Sequence, residues 1–147
     1  MATEDRRTQE SNRLIRVGMT LFLFALVVGL VVPVFAVPRL GLSVHLLGLM
    51  QGTFLIALGV VWPRIDLTQV WSRVASWLII YGCVAAWTSN VLAASWGGSA
   101  MLPLASGQAR SSAVHDAVIT VGLRSSAVAL VAATLLILWG LPKNRAN

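Results

Sequence analysis

The chain has 147 residues, of which 57% are hydrophobic and 11% are charged, and its mean hydropathy is +0.81. A soluble domain of this size cannot bury so large an apolar fraction, so the composition excludes a soluble globular protein. The net charge of +6 does not indicate a nucleic-acid partner, because the basic residues lie at the edges of apolar stretches.

Four apolar windows have the length of about 20 residues that crosses a hydrocarbon core of about 30 Å. They predict an all-α protein, a bundle of four transmembrane helices in up-down-up-down order, at Leu14–Ala36, Leu42–Trp62, Val74–Ala94 and Ala117–Leu141. Residues 1–13 are expected to form a polar N-terminal tail, residues 14–141 a single membrane domain and residues 142–147 a C-terminal tail. A signal peptide is the alternative for the first window, but a signal has a shorter apolar core of about 7–15 residues.

The basic residues indicate how the helices are oriented. If the helices alternate, eight basic residues fall on one side of the membrane: Arg6, Arg7, Arg13, Arg16, Arg64, Arg73, Lys143 and Arg145. Arg39 and Arg110 fall on the other side. The positive-inside rule therefore predicts that both termini are cytoplasmic.

The first helix contains small residues on one face, Gly18, Ala25 and Gly29, which allow a second helix to approach closely. The link from Val37 to Gly41 is very short, so the first two helices are expected to form a tight antiparallel pair.

His45, near the start of the second helix, is the leading candidate for a functional site, because an imidazole within hydrocarbon is costly. Four glycines lie within about 60° of it on a helical wheel, namely Gly41, Gly48, Gly52 and Gly59. A groove without side chains beside one nitrogen ligand is suited to haem, with His45 as the iron ligand and Gly48 and Gly52 against the macrocycle. The alternative is a histidine that hydrogen-bonds a neighbouring helix, with the glycines serving helix packing.

Two amide side chains are candidate catalytic residues that could orient a small polar substrate. Gln51 lies on the helix of His45, about 120° around it and about 9 Å further along. Asn90 lies near the end of the third helix, at the same side of the membrane as His45. The alternatives are a helix–helix hydrogen bond for Gln51 and a bond to backbone or water for Asn90.

Arg124, inside the last helix, is a candidate cofactor-binding residue that could pair with haem propionates. It could instead extend to the interface or pair with Asp116. His115 is interpreted as a surface residue, and the loop of residues 96–112 is long enough to cover the end of the bundle that holds His45.

Several classes of protein are disfavoured by what the sequence lacks. The lone Cys83 excludes iron–sulfur and structural zinc sites. The first three helices contain no embedded carboxylate, which a small proton-coupled transporter would need. A bis-histidine cytochrome would need a second histidine at matching depth.

The segment from Pro38 through His45 to Arg64, together with Tyr81–Trp87 and Ala93–Pro103, resembles the hydroxylaminobenzene mutase family of small bacterial membrane enzymes. A more distant similarity links the chain to styrene oxide isomerase. The resemblance implies an isomerase of the bacterial inner membrane that converts an aromatic hydroxylamine to a 2-aminophenol by intramolecular hydroxyl transfer. It further implies a homotrimer and a haem b held by His45, with ferric iron as the Lewis acid.

The third helix departs from the styrene oxide isomerase pattern, because it lacks the carboxylate and tyrosine found there, and Tyr81 lies about two turns earlier. Three alternatives to the mutase remain open. They are an isomerase of aromatic epoxides, a one-haem electron-transfer subunit, and a packing protein in which His45 is structural.

Overall fold

The computed structural model describes residues 2–106 and 111–141, and most of them are helical. Its long helices are α1 (Ala2–Leu30), α2 (Pro38–Val61), α3 (Gln69–Trp96) and α5 (Ala113–Gly140), whereas α4 (Pro103–Ser106) is one turn. Short 3₁₀ turns, Val32–Val34 and Trp62–Arg64, follow α1 and α2. Each long helix contains a stretch long and apolar enough to cross a membrane, which confirms the all-α fold with four such helices.

Each long helix begins before its predicted window, but α1 ends at Leu30 rather than at the predicted Ala36, because the turn that follows contains Pro33. Residues 2–13, expected as a polar tail, continue α1, and two of the side chains contact α2 and the turn after it. Glu10 accepts a hydrogen bond from Trp62 Nε1 at 3.0 Å, and Ser11 Oγ donates to Gly59 O at 2.7 Å. The expected C-terminal tail and the position of Arg110 lie outside the described residues.

The helix ends carry recognisable local signals. Pro38 occupies the first turn of α2, where its missing N–H is not needed. Ser112 caps α5 by accepting a hydrogen bond from His115 N. Gly97 ends α3 at a φ of 91°, a left-handed conformation that glycine adopts at little cost. These signals mark the start of α2, the start of α5 and the end of α3.

Contacts among helix ends and the turns between them define two ends of the molecule. Glu10, Trp62 and Ser72 meet at one end, which we call the Trp62 end, and Asp66 N donates to Gly140 O there. At the opposite end, the His45 end, Val37 N donates to Ala94 O at 3.2 Å.

Helix α2 packs most extensively against α1 and also against α3, while α5 packs along α3. The apolar core therefore falls into two clusters. One is centred on Leu14, Leu55, Trp62 and Ile79, and the other lies towards the His45 end, around Leu40, Val44 and Ile119.

Candidate functional site

The imidazole of His45 is half-buried where α2 meets α1. Its Nδ1 lies 2.8 Å from Ala25 O, and since a carbonyl oxygen can only accept, Nδ1 must donate. A neutral ring with its proton on Nδ1 carries a lone pair on Nε2. No described residue hydrogen-bonds Nε2, so this nitrogen is available to a ligand.

Gly29 of α1 makes room for this ring. A Cβ added at Gly29 would lie 2.6 Å from His45 Nδ1, closer than atoms approach without displacement. The imidazole is therefore held between a backbone carbonyl and a glycine of the same helix. A backbone bond of this kind fixes the tautomer and orientation of metal-ligating histidines. It is also the helix–helix bond of the structural alternative.

The glycine stripe of α2 does not form an open groove. Gly52 lies against Gly18 and Phe22 of α1, and Gly48 lies against Ala25 and the indole of Trp87. All four glycines of the stripe are buried. The prediction that Gly48 and Gly52 present an open surface to a macrocycle is therefore wrong, because α1 and Trp87 fill the space beside them. Close helix packing through small residues is what the stripe provides.

Trp87 of α3 was not singled out from the sequence as a site residue. Its Nε1 donates to Val44 O at 3.2 Å, and its ring stacks on Phe24 at a centroid distance of 6.2 Å. The indole thus joins α1, α2 and α3 at the glycine stripe. The sequence signal that could have identified it is a tryptophan within a predicted span, because tryptophan is usually enriched at the membrane interfaces.

Gln51 carries an unusual feature for a residue within a span. Its Oε1 is buried and has no hydrogen-bond partner among the described residues. The helix–helix hydrogen bond expected as the alternative is therefore absent from the described part of the chain. An unpaired buried amide oxygen costs about 1–3 kcal/mol. Such an atom is a candidate contact for a polar ligand.

His45 and Gln51 flank the buried face of α2. The residues between Gly41 and Gly59 that face the core centre about 60° from each of them on a helical wheel. The two side chains therefore leave the helix at opposite edges of its buried face, and they do not point at one spot.

Asn90 of α3 is half-buried, and its Nδ2 donates to Ala86 O at 2.9 Å. The bond to its own helix is the alternative foreseen for this residue. It leaves Oδ1 without a partner among the described residues, so Asn90 retains one acceptor that could contact a substrate.

Arg124 and Asp116 do not pair. Asp116 Oδ1 accepts from Ser99 Oγ at 2.6 Å and from Ala100 N at 2.9 Å, so the predicted alternative of an Arg124–Asp116 pair is wrong. Arg124 is exposed on α5, has no partner among the described residues, and lies about 16 Å along α5 from its start at Ala113.

The loop after α3 is fastened to the start of α5 at the His45 end. Besides the bonds to Asp116, Ser99 N donates to Ser106 Oγ at 2.9 Å. His115, expected at the surface, is half-buried, and its ring stacks on Trp96 at 4.2 Å between centroids. The described part of the loop is thus ordered by its own hydrogen bonds.

The surroundings of His45 provide one nitrogen donor for the iron of a haem. The free lone pair on His45 Nε2, fixed by the bond of Nδ1 to Ala25 O, suits a single axial ligand. Three or more His, Cys, Asp or Glu side chains do not come together anywhere in the described residues. The donor set therefore fits a group that brings most of its own ligands, and the filled glycine stripe requires that group to approach His45 from another direction.

Comparisons with known proteins cover all four long helices. A sequence profile described as styrene oxide isomerase matches residues 10–142. Hydroxylaminobenzene mutase HabA of Ectopseudomonas oleovorans is 42% identical over 125 residues, which cover 84% of this chain and 93% of that protein. Hydroxylaminobenzene mutase HabB of the same organism is 38% identical over 132 residues, covering 89% of this chain and 80% of that protein. No solved structure matches the chain significantly.

Proposed function

The chain belongs to the styrene oxide isomerase family and is an isomerase, and from this premise we propose that it rearranges an aromatic hydroxylamine to a 2-aminophenol. The observation that carries the proposal is the similarity to two hydroxylaminobenzene mutases along most of both chains. The apolar composition and the four candidate spans support a multi-pass membrane protein acting on a small aromatic molecule.

The proposed reaction is balanced without an external oxidant or reductant. The N–O bond of the N-phenylhydroxylamine breaks and a C–O bond forms at the ring carbon ortho to the one that bears the nitrogen. The proton displaced from that carbon is matched by one gained at nitrogen, so substrate and product are isomers. The enzyme must therefore keep the migrating oxygen close to the ring and exclude competing nucleophiles.

We propose that His45 Nε2 holds a haem b, because this nitrogen has no partner among the described residues while Nδ1 is bound to Ala25 O. When bound, the iron would supply Lewis acidity towards the hydroxylamine oxygen. Ala25 and Gly29 then act as positioning residues that fix the plane of the imidazole. Arg124 faces outward from α5, so it would meet a cofactor carboxylate only at the subunit surface, consistent with the homotrimer that we also propose.

The two amides would orient the substrate by hydrogen bonding. Gln51 Oε1 is buried without a partner, and Asn90 retains a free Oδ1 while its Nδ2 is bound to Ala86 O. A carbonyl oxygen accepts from N–H and O–H groups, and a hydroxylamine offers both. We propose that these two oxygens hold the N–H or O–H of the substrate.

The decisive experiment compares the two histidines of the chain in detergent-purified protein. We expect His45→Ala to abolish both the Soret absorbance and the conversion of N-phenylhydroxylamine to 2-aminophenol. His115→Ala is the matched control and should keep both, since its ring stacks on Trp96 away from Ala25. Full turnover by a colourless protein would refute the haem, and absence of turnover by the coloured wild type would refute the mutase.

Replacing Gln51 separates catalysis from folding. Gln51→Leu keeps the volume and removes the unpaired buried oxygen, so the free energy of unfolding should stay level or rise by up to about 1 kcal/mol. Turnover should fall about 10–100-fold if the amide orients the substrate. Met50→Leu, on the exposed side of α2, is the control and should change neither quantity. Unchanged turnover in Gln51→Leu would remove Gln51 from the site.

An isomerase of aromatic epoxides is the second candidate, because the family profile that matches is described as styrene oxide isomerase. The same preparation can be given styrene oxide and N-phenylhydroxylamine in parallel. Preferential conversion of the epoxide would favour the second candidate over the first.

A further inference from the structure

The line of contact between α1 and α3, which we call the α1–α3 seam, contains a second candidate site that begins at the Trp62 end. The guanidinium of Arg13 is half-buried there, with Nη2 donating to Ser76 Oγ at 2.6 Å and the group lying 4.4 Å from the ring centroid of Trp77. Arg13 Nε is buried and has no acceptor among the described residues. The cation is thus held in place while its buried Nε donor is unused, so an acceptor is missing beside it.

A small pocket of about 110 Å³ opens beside this guanidinium and is lined by Gln9, Glu10, Arg13, Gln69 and Arg73. Arg73 is exposed, and its guanidinium has no partner among the described residues. Glu10 Oε2 already accepts from Trp62 Nε1 and Ser72 Oγ, so its charge is directed into the protein. The two arginines outnumber the one carboxylate, whose Oε2 already accepts two hydrogen bonds, and this balance favours an anionic ligand. A phosphate group is bound well by arginine.

The same seam continues as an apolar groove of about 410 Å³. Its walls are Val17, Leu21 and Phe24 of α1 with Val84 and Trp87 of α3, and Arg16, Thr20 and Thr88 complete the lining. The eleven steps from Arg13 to Phe24 rise about 16 Å, close to half of a hydrocarbon core of about 30 Å. The length of the seam thus matches one acyl chain in one leaflet.

We propose that this seam binds one anionic phospholipid, with its phosphate in the pocket at Arg13 and Arg73 and one acyl chain along the groove. A cationic polar pocket is followed, along the same two helices, by an apolar groove, and together they match the charge and length of such a lipid. Arginines that served only to orient the helices would need neither a pocket nor a stacking partner such as Trp77.

The polar half is tested by native mass spectrometry of the detergent-purified full chain with phosphatidylglycerol and phosphatidylcholine of matched acyl chains. Phosphatidylglycerol should bind preferentially. Arg73→Gln should weaken its binding about fivefold, the factor expected for one interfacial arginine, and Arg13→Gln should weaken it more. Arg64→Gln, at the same end but outside the pocket lining, is the matched control and should bind like the wild type.

The apolar half is tested by filling the groove. Val84→Phe should reduce phosphatidylglycerol binding, whereas Val60→Phe, on an exposed part of α2, should leave it unchanged. The water-soluble headgroup, glycerophosphoglycerol, and inorganic phosphate should not displace the lipid. Equal binding of both lipids, full binding by Arg13→Gln and Arg73→Gln, full binding by Val84→Phe, or displacement by a free headgroup or phosphate would each overturn the proposal.

Discussion

The two most extensive helix pairs, α1 with α2 and α3 with α5, are packed by different means. At the α1–α2 seam backbone meets backbone, since a Cβ added at Gly18 would lie 2.8 Å from Gly52 O. At the α3–α5 seam a glycine meets mainly a side chain, since a Cβ added at Gly82 would lie 2.6 Å from Leu130 Cγ and 3.2 Å from Ser126 O. A leucine can change rotamer, but a helix backbone must move as a whole.

This difference explains why the candidate ligand lies at the α1–α2 seam. Close approach of the backbones brings Ala25 O within 2.8 Å of His45 Nδ1, so a main-chain atom of a rigid helix orients the ring. At the α3–α5 seam the hydroxyl of Ser126 bonds Leu123 O of its own helix. The glycine seam therefore orients the imidazole of His45 through a main-chain atom, whereas Ser126 at the other seam bonds its own helix.

The largest effect is expected where the glycine seam meets the imidazole. Gly29→Ala places a Cβ 2.6 Å from His45 Nδ1, which is too close for the two atoms to coexist. The ring must therefore move, and its hydrogen bond to Ala25 O is stretched or broken. A displaced ligand of about 1 Å lowers turnover about 100-fold. Turnover of N-phenylhydroxylamine and the shape of the Soret band measure it.

Gly82→Ala is the control for that change, because it adds the same methyl group to the other seam. It should retain the wild-type spectrum and turnover. A normal spectrum and normal turnover in Gly29→Ala would show that the geometry of the seam does not position His45.

The next effect concerns stability alone. Gly52→Ala directs a Cβ to within 2.9 Å of Gly18 O and should lower the free energy of unfolding by about 1–3 kcal/mol through overpacking, less the gain of up to about 1 kcal/mol in helix propensity. Gly82→Ala should lie within about 1 kcal/mol of the wild type, since Leu130 can rotate. Reversible unfolding in detergent measures both, and equal losses would contradict the distinction between the seams.

The sequence predicted the four helices because hydrophobic length alone determines what can cross a membrane. It also predicted that His45 and the glycines share one side of α2, since helical periodicity sets the direction of every side chain. Periodicity does not show which neighbour covers that side. The filling of the stripe by α1 and Trp87 depends on how α1, α2 and α3 pack together, which one helix's pattern does not contain.

Hydrogen-bond partners were the least predictable part of the candidate site. Asp116 was an alternative partner for Arg124 by helical spacing, but Ser99 and Ala100 of the preceding loop reach its carboxylate first. The N-terminal residues were expected to be a tail because they are polar. Gly59 of α2 and Trp62 of the turn after it offer them partners, and those contacts become visible only when the chain is folded.

The smallest expected effect compares one hydroxyl group at each seam. Ser11 Oγ donates across the α1–α2 seam to Gly59 O at 2.7 Å, and the pair is buried, so Ser11→Ala should lower the free energy of unfolding by about 1 kcal/mol. Ser126 Oγ donates within α5 to Leu123 O, and its loss removes no contact between helices. Ser126→Ala should therefore be close to neutral in the same unfolding experiment. A larger loss in Ser126→Ala than in Ser11→Ala would mean that the polar contacts of the α3–α5 seam outweigh those of the glycine seam.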